Sequence, residues 1–337
     1  MDRPDLRDFE WLVGEFSGYI VLYRPESVHP GPAFMHIVFD EALQAFIFRL
    51  RANLAGAGLD IASMVLKMEP DGDLFRGWFF TDHQASAITF TGDRIGDALV
   101  LMSDDQFPFS DGLCIRTRIE PVESGFVMTN DMVADGAPPI RVNDAFYHTV
   151  PTRFDCPQYL TSLSNPILEL DSPEENALRR LDYLCGMHKG FGESRDNESA
   201  NWMSSRLKVI GNRTPGHRWL TLRATNWRSD GMVDDNRLEV TYDVDRGVYR
   251  AWVFSSVGQE PLVCEGTTEG GRLVLFSTPW NTRGGMVRVR LTIAPIRCED
   301  GAASPCMEVA VWTPDGYRPT MYHTCAPVQT LDEALLE

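Results

Sequence analysis

Hydrophobic and polar positions alternate with a period of two along most of this chain. "LTLRAT" (220–225), "YRAWVFSS" (249–256) and "VRVRLTI" (287–293) each put apolar side chains on one face and polar ones on the other, the pattern of a half-buried β-strand. Turn-forming runs separate such segments: "EPDGD" (69–73), "TGDRIGD" (91–97), "TEGG" (268–271) and "TPDGY" (313–317). Strands at this short spacing predict an antiparallel meander. A meander of about 150 residues closes most readily into an up-and-down barrel, whose interior holds side chains or one small ligand.

The meander is written twice. "DFEWLVGEFSGY" (8–19) matches "RLDYLCGMHKGF" (180–191), pairing Leu12 with Leu184, Gly14 with Gly186 and Gly18 with Gly190 at an offset of 172. "FRLRAN" (48–53) matches "LTLRAT" at the same offset. "LFRGWFF" (74–80) with "VYRAWVF" (248–254), "TGDRIGDALVLMS" (91–103) with "EGTTEGGRLVLFS" (265–277), and "RTRIEP" (116–121) with "RLTIAP" (290–295) follow at 174. Tyr-His-Thr then occurs at 147–149 and 322–324, an offset of 175. Collinear matches of near-constant offset predict a tandem duplication. The expected fold is all-β, with one barrel over 1–155, a linker over 156–177 and a second barrel over 178–330. Each barrel is expected to carry a short helix at its front. "SPEENALRRLDYL" (172–184) supplies the signals: Ser172 as N-cap, Pro173 at the first position and acids in the first turn. The tail "VQTLDEALLE" (328–337) suits a short terminal helix.

Composition narrows the partners. The chain has 337 residues, 43% hydrophobic and 23% charged, with a net charge of −17. Such a charge repels nucleic-acid backbones and anionic membranes, so neither is expected as a partner. No run of about 18 apolar residues predicts a membrane span. Seven cysteines without a CxxC pair, and no apolar leader, fit reduced thiols and a cytoplasmic location. No metal-ligand spacing, P-loop, G-x-G-x-x-G or G-x-S-x-G occurs. The expectation is therefore no metal and no cofactor, a hydrophobic small molecule as ligand or substrate, and a homodimer allowed.

"WLVGEFSGY" (11–19) and "LDYLCGMHKGF" (181–191) resemble the L-x-G-x-W-x-G opening of lipocalin-like barrels related to nitrobindin. They also resemble a large family of uncharacterised bacterial barrel domains. "YDVDRGVYRAWVFSS" (242–256) followed by "EGTTEGGRLVLFS" continues the likeness. Two positions depart from it. The opening Trp is Phe16 in one copy and His188 in the other, and the closing Tyr-x-Arg is Tyr-His-Thr. The resemblance implies lipocalin-like barrels. By architecture alone it extends to lipocalin-like natural-product cyclases.

Candidate chemistry falls mainly at positions shared by the copies. His148 and His323 alternate with apolar neighbours (Phe146 and Val150; Met321 and Cys325), which points both imidazoles inward, either as acid/base groups or as satisfied interior histidines. His188 is a third imidazole expected inside the second barrel. Arg51 and Arg223, Arg76 and Arg250, and Arg116 and Arg290 are equivalent pairs that could clamp an anionic group or serve the outer face. Trp78 and Trp252 are equivalent, and Trp219 and Tyr322 add aromatic surface. Fifteen of 18 Phe precede residue 156, whereas six of eight Trp follow it. Unlike interiors are expected, with the tryptophan-rich barrel and His323 as the functional member. The leading expectation is a cofactor-independent biosynthetic enzyme of cyclase, isomerase or dehydratase type. The alternatives are a carrier of an apolar molecule, or a nitrobindin-like haem protein with His148 or His323 as axial ligand.

Overall fold

The structure is a computed structural model that describes residues 6–55, 58–68, 74–104, 113–134, 136–149, 172–195, 201–214, 218–256, 258, 260–282, 285–297 and 303–328. The chain divides into two compact units, Met1–Ile167 and Leu168–Glu337. Most of the expected linker and nearly all of the expected C-terminal helix lie outside the described residues.

The first unit contains ten strands: β1 (Gly14–Arg24), β2 (Ser27–Asp40), β3 (Ala45–Leu54), β4 (Gly58–Met68), β5 (Phe75–Thr81), β6 (Ile88–Ile95), β7 (Ala98–Ser103), β8 (Cys114–Val122), β9 (Gly125–Val133) and β10 (Ile140–Thr149). Each pairs antiparallel with the next, and β10 returns to β1, so the sheet is a closed barrel. The second unit repeats the plan with β11 (Gly186–Ser194), β12 (Met203–Arg213), β13 (Leu220–Arg228), β14 (Val233–Asp243), β15 (Val248–Ser255), β16 (Leu262–Glu269) and β17 (Arg272–Ser277). A small hairpin, β18 (Trp280–Thr282) and β19 (Gly285–Val287), interrupts it. Then β20 (Val289–Arg297), β21 (Ala303–Thr313) and β22 (Gly316–Pro327) complete the barrel on β11. The all-β tandem-barrel expectation holds.

A short helical segment plugs one end of each barrel. In the first, the 3-10 segment Leu6–Leu12 seats Phe9 and Leu12, both essentially without exposed surface. Phe9 meets Phe75 edge-on at 5.2 Å, and Phe16 meets Phe126 at 4.9 Å. In the second, the α-helix Pro173–Arg179 begins as its sequence predicts, with the Ser172 hydroxyl accepting from the Glu175 amide. Its end and the turn after it bury Leu178, Leu181 and Leu184. The Tyr249 hydroxyl donates to the Ala177 carbonyl at 2.7 Å. This helix belongs to the second unit, so the last residues of the expected linker are part of the barrel's plug.

The Leu-x-Gly openings now have a physical account. Leu12 and Leu184 fill the plug, worth roughly 2–3 kcal/mol each in apolar burial. Gly186, at φ +98°, then turns the chain into β11 in a conformation that side-chain-bearing residues rarely adopt. Four residues on, Gly18 and Gly190 let the first strand approach the last. A Cβ on Gly18 would sit 1.9 Å from the Phe146 carbonyl oxygen, and one on Gly190 would sit 2.3 Å from that of Thr324.

The register corrects one expectation. Gly18 stands opposite Tyr147, whereas its equivalent Gly190 stands opposite Cys325. The closing strands are therefore equivalent at an offset of 178, and the two Tyr-His-Thr runs are three residues out of step. An odd slip exchanges the faces of a strand. Tyr147 points inward and His148 is exposed. In the second barrel Tyr322 is exposed and His323 is fully buried. Tyr-His-Thr is not one device used twice.

Closure is testable at the glycines. Gly18→Ala places a methyl against backbone that cannot yield, and is expected to destabilise the chain by about 3 kcal/mol. Gly136→Ala, at a turn glycine with open space around it, is expected to cost far less. Urea denaturation of both variants checks this; equal losses would show that the close approach is not what constrains β1.

Candidate functional site

The first barrel encloses a cavity of about 230 Å³. Its walls come from inward positions of nearly every strand. Ile20, Met35, Phe48, Leu50, Met64 and Phe90 supply the apolar surface, joined by Phe79 and Met128. These are the aromatic and thioether side chains that suit a small apolar ligand. The end remote from the plug is polar. There the Thr117 hydroxyl donates to the Asn130 side-chain oxygen at 2.5 Å, and the Asn130 amide donates to the Asn143 oxygen at 2.7 Å. The β5–β6 turn adds Thr81, His83 and Gln84. The Gln84 backbone amide closes this turn on the Thr81 carbonyl at 3.3 Å, and its side-chain amide donates to the Ser86 carbonyl at 2.9 Å. Among the described residues no Asp, Glu, Lys or Arg lines the cavity, and His83, exposed at the rim, is the one titratable group that does.

The residues proposed from sequence fall elsewhere. His148 is exposed on the outer face, where its Nδ1 is 2.9 Å from the Ser124 hydroxyl. This corrects the inward orientation expected for it. Arg51 alternates with inward Leu50 and Ala52, so it points outward. Its equivalent Arg223 is exposed, 3.6 Å from Asp235. Arg76 bonds Thr91 and Asp104, and Arg250 lies beside Glu265 and over the Trp252 ring. Arg116 pairs with Asp131 at 2.8 Å, between inward Ile115 and Thr117. Arg290 pairs with Glu308 at 2.7 Å, between inward Val289 and Leu291. Arg76, Arg116, Arg223, Arg250 and Arg290 form ion pairs on the outer faces, which strengthen pairing locally, and none of the six arginines lines the cavity. Tyr322 is half-exposed on the outer face of β22.

Tryptophan does not line a lumen as expected. Trp78 and Trp252 occupy the strand face opposite the inward residues of β5 and β15, yet both are buried, as is Trp219. Trp219 and Trp252 pack together with ring centroids 5.6 Å apart. Phenylalanine and methionine of the first barrel make the cavity instead.

His188 and His323 do lie inside the second barrel, and together they hold its frame. His188 Nδ1 is 3.0 Å from the Ser304 hydroxyl and its Nε2 is 3.2 Å from the Cys185 carbonyl, at the plugged end. His323 Nε2 is 2.8 Å from the Ser205 hydroxyl, the two side chains meeting over Gly192 of the intervening β11, while its Nδ1 has no partner among the described residues. Burial pushes the His323 pKa down to about 4 and lowers that of His188. Both are neutral at physiological pH. The haem alternative loses its first axial ligand, because His148 points away from the lumen. His323 has no exposed surface, so a macrocycle on it would have to displace packed neighbours. Among the described residues no group of three or more His, Cys, Asp or Glu is placed to hold a metal ion. No helix among them is long and apolar enough to cross a membrane.

Comparison with protein families and with curated proteins finds no match. Solved structures are similar only distantly. Rv2717c from M. tuberculosis is 13% identical, with 44% of this chain and 98% of that one covered and a TM-score of 0.36. A DUF3598-family protein of unknown function from Nostoc punctiforme is 9% identical over 96% and 99% of the two chains, at a TM-score of 0.22. A protein described as a putative AttH from Nitrosomonas europaea is 11% identical over 93% and 92%, at 0.17. The fold description therefore rests on the strand pairing itself.

The buried histidine sets a pH dependence. In the unfolded chain imidazole titrates near 6.5, against about 4 for His323 in the fold. Above pH 6.5 it is neutral in both states. Between 6.5 and 4 only the unfolded state takes up the proton, so stability falls as pH falls, by on the order of 2 kcal/mol at pH 5. His188 acts in the same direction. Melting at pH 7.5 and 5 is expected to show a smaller drop for His323→Gln than for the unsubstituted chain. An equal drop would mean that His323 takes up its proton in the folded state.

Proposed function

We propose that this chain binds a small, largely apolar molecule inside its first barrel, using the barrel as lipocalin-like proteins use theirs. The observation that carries this reading is the pairing of an apolar interior with a polar rim. Met, Phe, Leu and Ile line the enclosed part, and Thr117, Asn130, Asn143 and Gln84 cluster towards the open end. A strand interior built only for stability gains nothing from an unfilled volume, since a cavity costs about 24 cal/mol per Å³ of lost packing. Retaining one is a cost that ligand binding offsets.

Titration with the neutral fluorophore N-phenyl-1-naphthylamine tests this. One molecule is expected to bind per chain, with blue-shifted emission. Ala62→Phe, which adds a ring inside the cavity, is expected to weaken binding at least about tenfold. His323→Gln is expected to leave it unchanged. Failure of the probe to bind, or equal loss in both variants, would overturn the reading.

The cofactor-independent enzyme is the second reading, and His83 is the observation that favours it. It is a titratable side chain at the rim, within reach of a ligand's polar end, and imidazole exchanges protons near neutral pH. Such a cyclase or isomerase would work by enclosing and orienting its substrate, with His83 moving one proton. His148, His188 and His323 do not line this cavity. If the chain turns over a bound compound, His83→Gln is expected to lower kcat by about 100-fold or more while KM changes little. Retained turnover would remove His83 from the chemistry and leave the carrier reading.

A further inference from the structure

We infer that the ligand of the first barrel is an electrically neutral molecule that donates a hydrogen bond, through a hydroxyl or N–H on an otherwise apolar ring system, to the side-chain oxygen of Gln84. The inference rests on the cavity reading above and specifies its ligand.

Gln84 lines the cavity and is 7% exposed. Its side-chain amide has a fixed orientation. Only the nitrogen can face the Ser86 carbonyl, because two oxygens there would repel, and that bond is 2.9 Å long. The oxygen is then left on the other side of the amide, buried and without a partner among the described residues. A buried acceptor without a donor costs free energy on the order of 1–3 kcal/mol. That oxygen has almost no surface open to the empty cavity, so a ligand O–H or N–H reaches it by a shift of the side chain, and the bond then removes that cost.

The neighbouring polar chain adds the complementary half. The Thr117 hydroxyl donates to the Asn130 oxygen, and the Asn130 amide nitrogen donates to the Asn143 oxygen. Running in this direction, the chain ends on the Asn143 amide nitrogen, a donor. The rim thus presents an acceptor at Gln84 and a donor at Asn143. A hydroxyl suits a rim of this kind, because it both donates and accepts.

Charge excludes the other common classes. A carboxylate would bring acceptor oxygens against the Gln84 oxygen, with no Lys or Arg among the described lining residues to neutralise it. The net charge of −17 adds long-range repulsion. An ammonium would be taken out of water without a carboxylate partner, which is costly. A hydrocarbon would leave the Gln84 oxygen unpaired. The ring walls from Phe48, Phe79 and Phe90, together with three methionines, favour a flat polarisable body.

Three naphthalenes of nearly equal size separate the alternatives: 2-naphthol, 2-methoxynaphthalene and 2-naphthoate. They are to be titrated by intrinsic ligand fluorescence at pH 7 into the full chain and into Gln84→Met. The full chain is expected to bind 2-naphthol roughly tenfold more tightly than 2-methoxynaphthalene, which can accept but not donate, and to bind 2-naphthoate most weakly. Gln84→Met is expected to keep its affinity for 2-methoxynaphthalene and lose the preference for 2-naphthol. If 2-naphthol and 2-methoxynaphthalene bind the full chain equally, the donor requirement is overturned while the cavity reading stands. If neither binds, the cavity reading itself fails. A preference that survives in a folded Gln84→Met chain overturns the assignment to Gln84. Because the preference is measured on the unsubstituted chain, a variant that does not fold leaves the donor requirement tested.

Discussion

Each barrel depends on one pairing, that of its last strand with its first. Every other strand pairs with the strand that follows it in its barrel, a partner close in sequence. The closing pair joins residues more than 120 positions apart, such as Gly18 and Tyr147 or Gly190 and Cys325. It bears the largest loop-closure cost of the sheet. It also brings backbones so near that only glycine fits at one point of the first strand. Without it the sheet has two open edges and no lumen. With it, every inward residue acquires neighbours across the barrel, and the plug behind Leu12 or Leu184 acquires a rim to sit in.

Closure also explains why the two copies differ inside while sharing a frame. Ties between strands and between plug and wall are fixed by geometry. Lumen positions are free to change so long as total volume is respected. The position of the opening aromatic shows this. Phe16 joins an apolar cluster with Phe126, whereas His188 in the same place ties Ser304 to the Cys185 carbonyl. One barrel uses ring packing where the other uses hydrogen bonds. In the first barrel the interior stops short of the polar end, and the remaining volume is the cavity. Its polar members are held by bonds to one another or to backbone, which keeps the rim in place.

The alternation of apolar and polar residues, the turn runs and the collinear repeats were sufficient to read the strands, the duplication and the barrel class. Each is a local property: period two is a consequence of the pleat, and turn residues are chosen for their own dihedral angles. Ser172, Pro173 and the following acids likewise identify the helix they start. Glycines 14, 18, 186 and 190 mark the opening, though not what they approach.

Which face is inner, and which polar residues meet, was decided by the tertiary structure alone. Tyr-His-Thr appears in both halves, yet a three-residue shift in strand register turns one histidine to solvent and buries the other. Around Arg116 a polar Thr117 interrupts the apolar row, and the cross-barrel neighbours show that Ile115, Thr117 and Ile119 point in. His83 and Gln84 read as an ordinary turn, and nothing local shows that this turn borders the cavity. Thr117 and Asn130 did leave a trace: each interrupts an apolar row at an inward position. Sequence by itself determined the elements, because their causes lie within a few residues. The structure decided the site, because a site is made of contacts between residues far apart in the chain, and a shift of one residue in register exchanges every one of them.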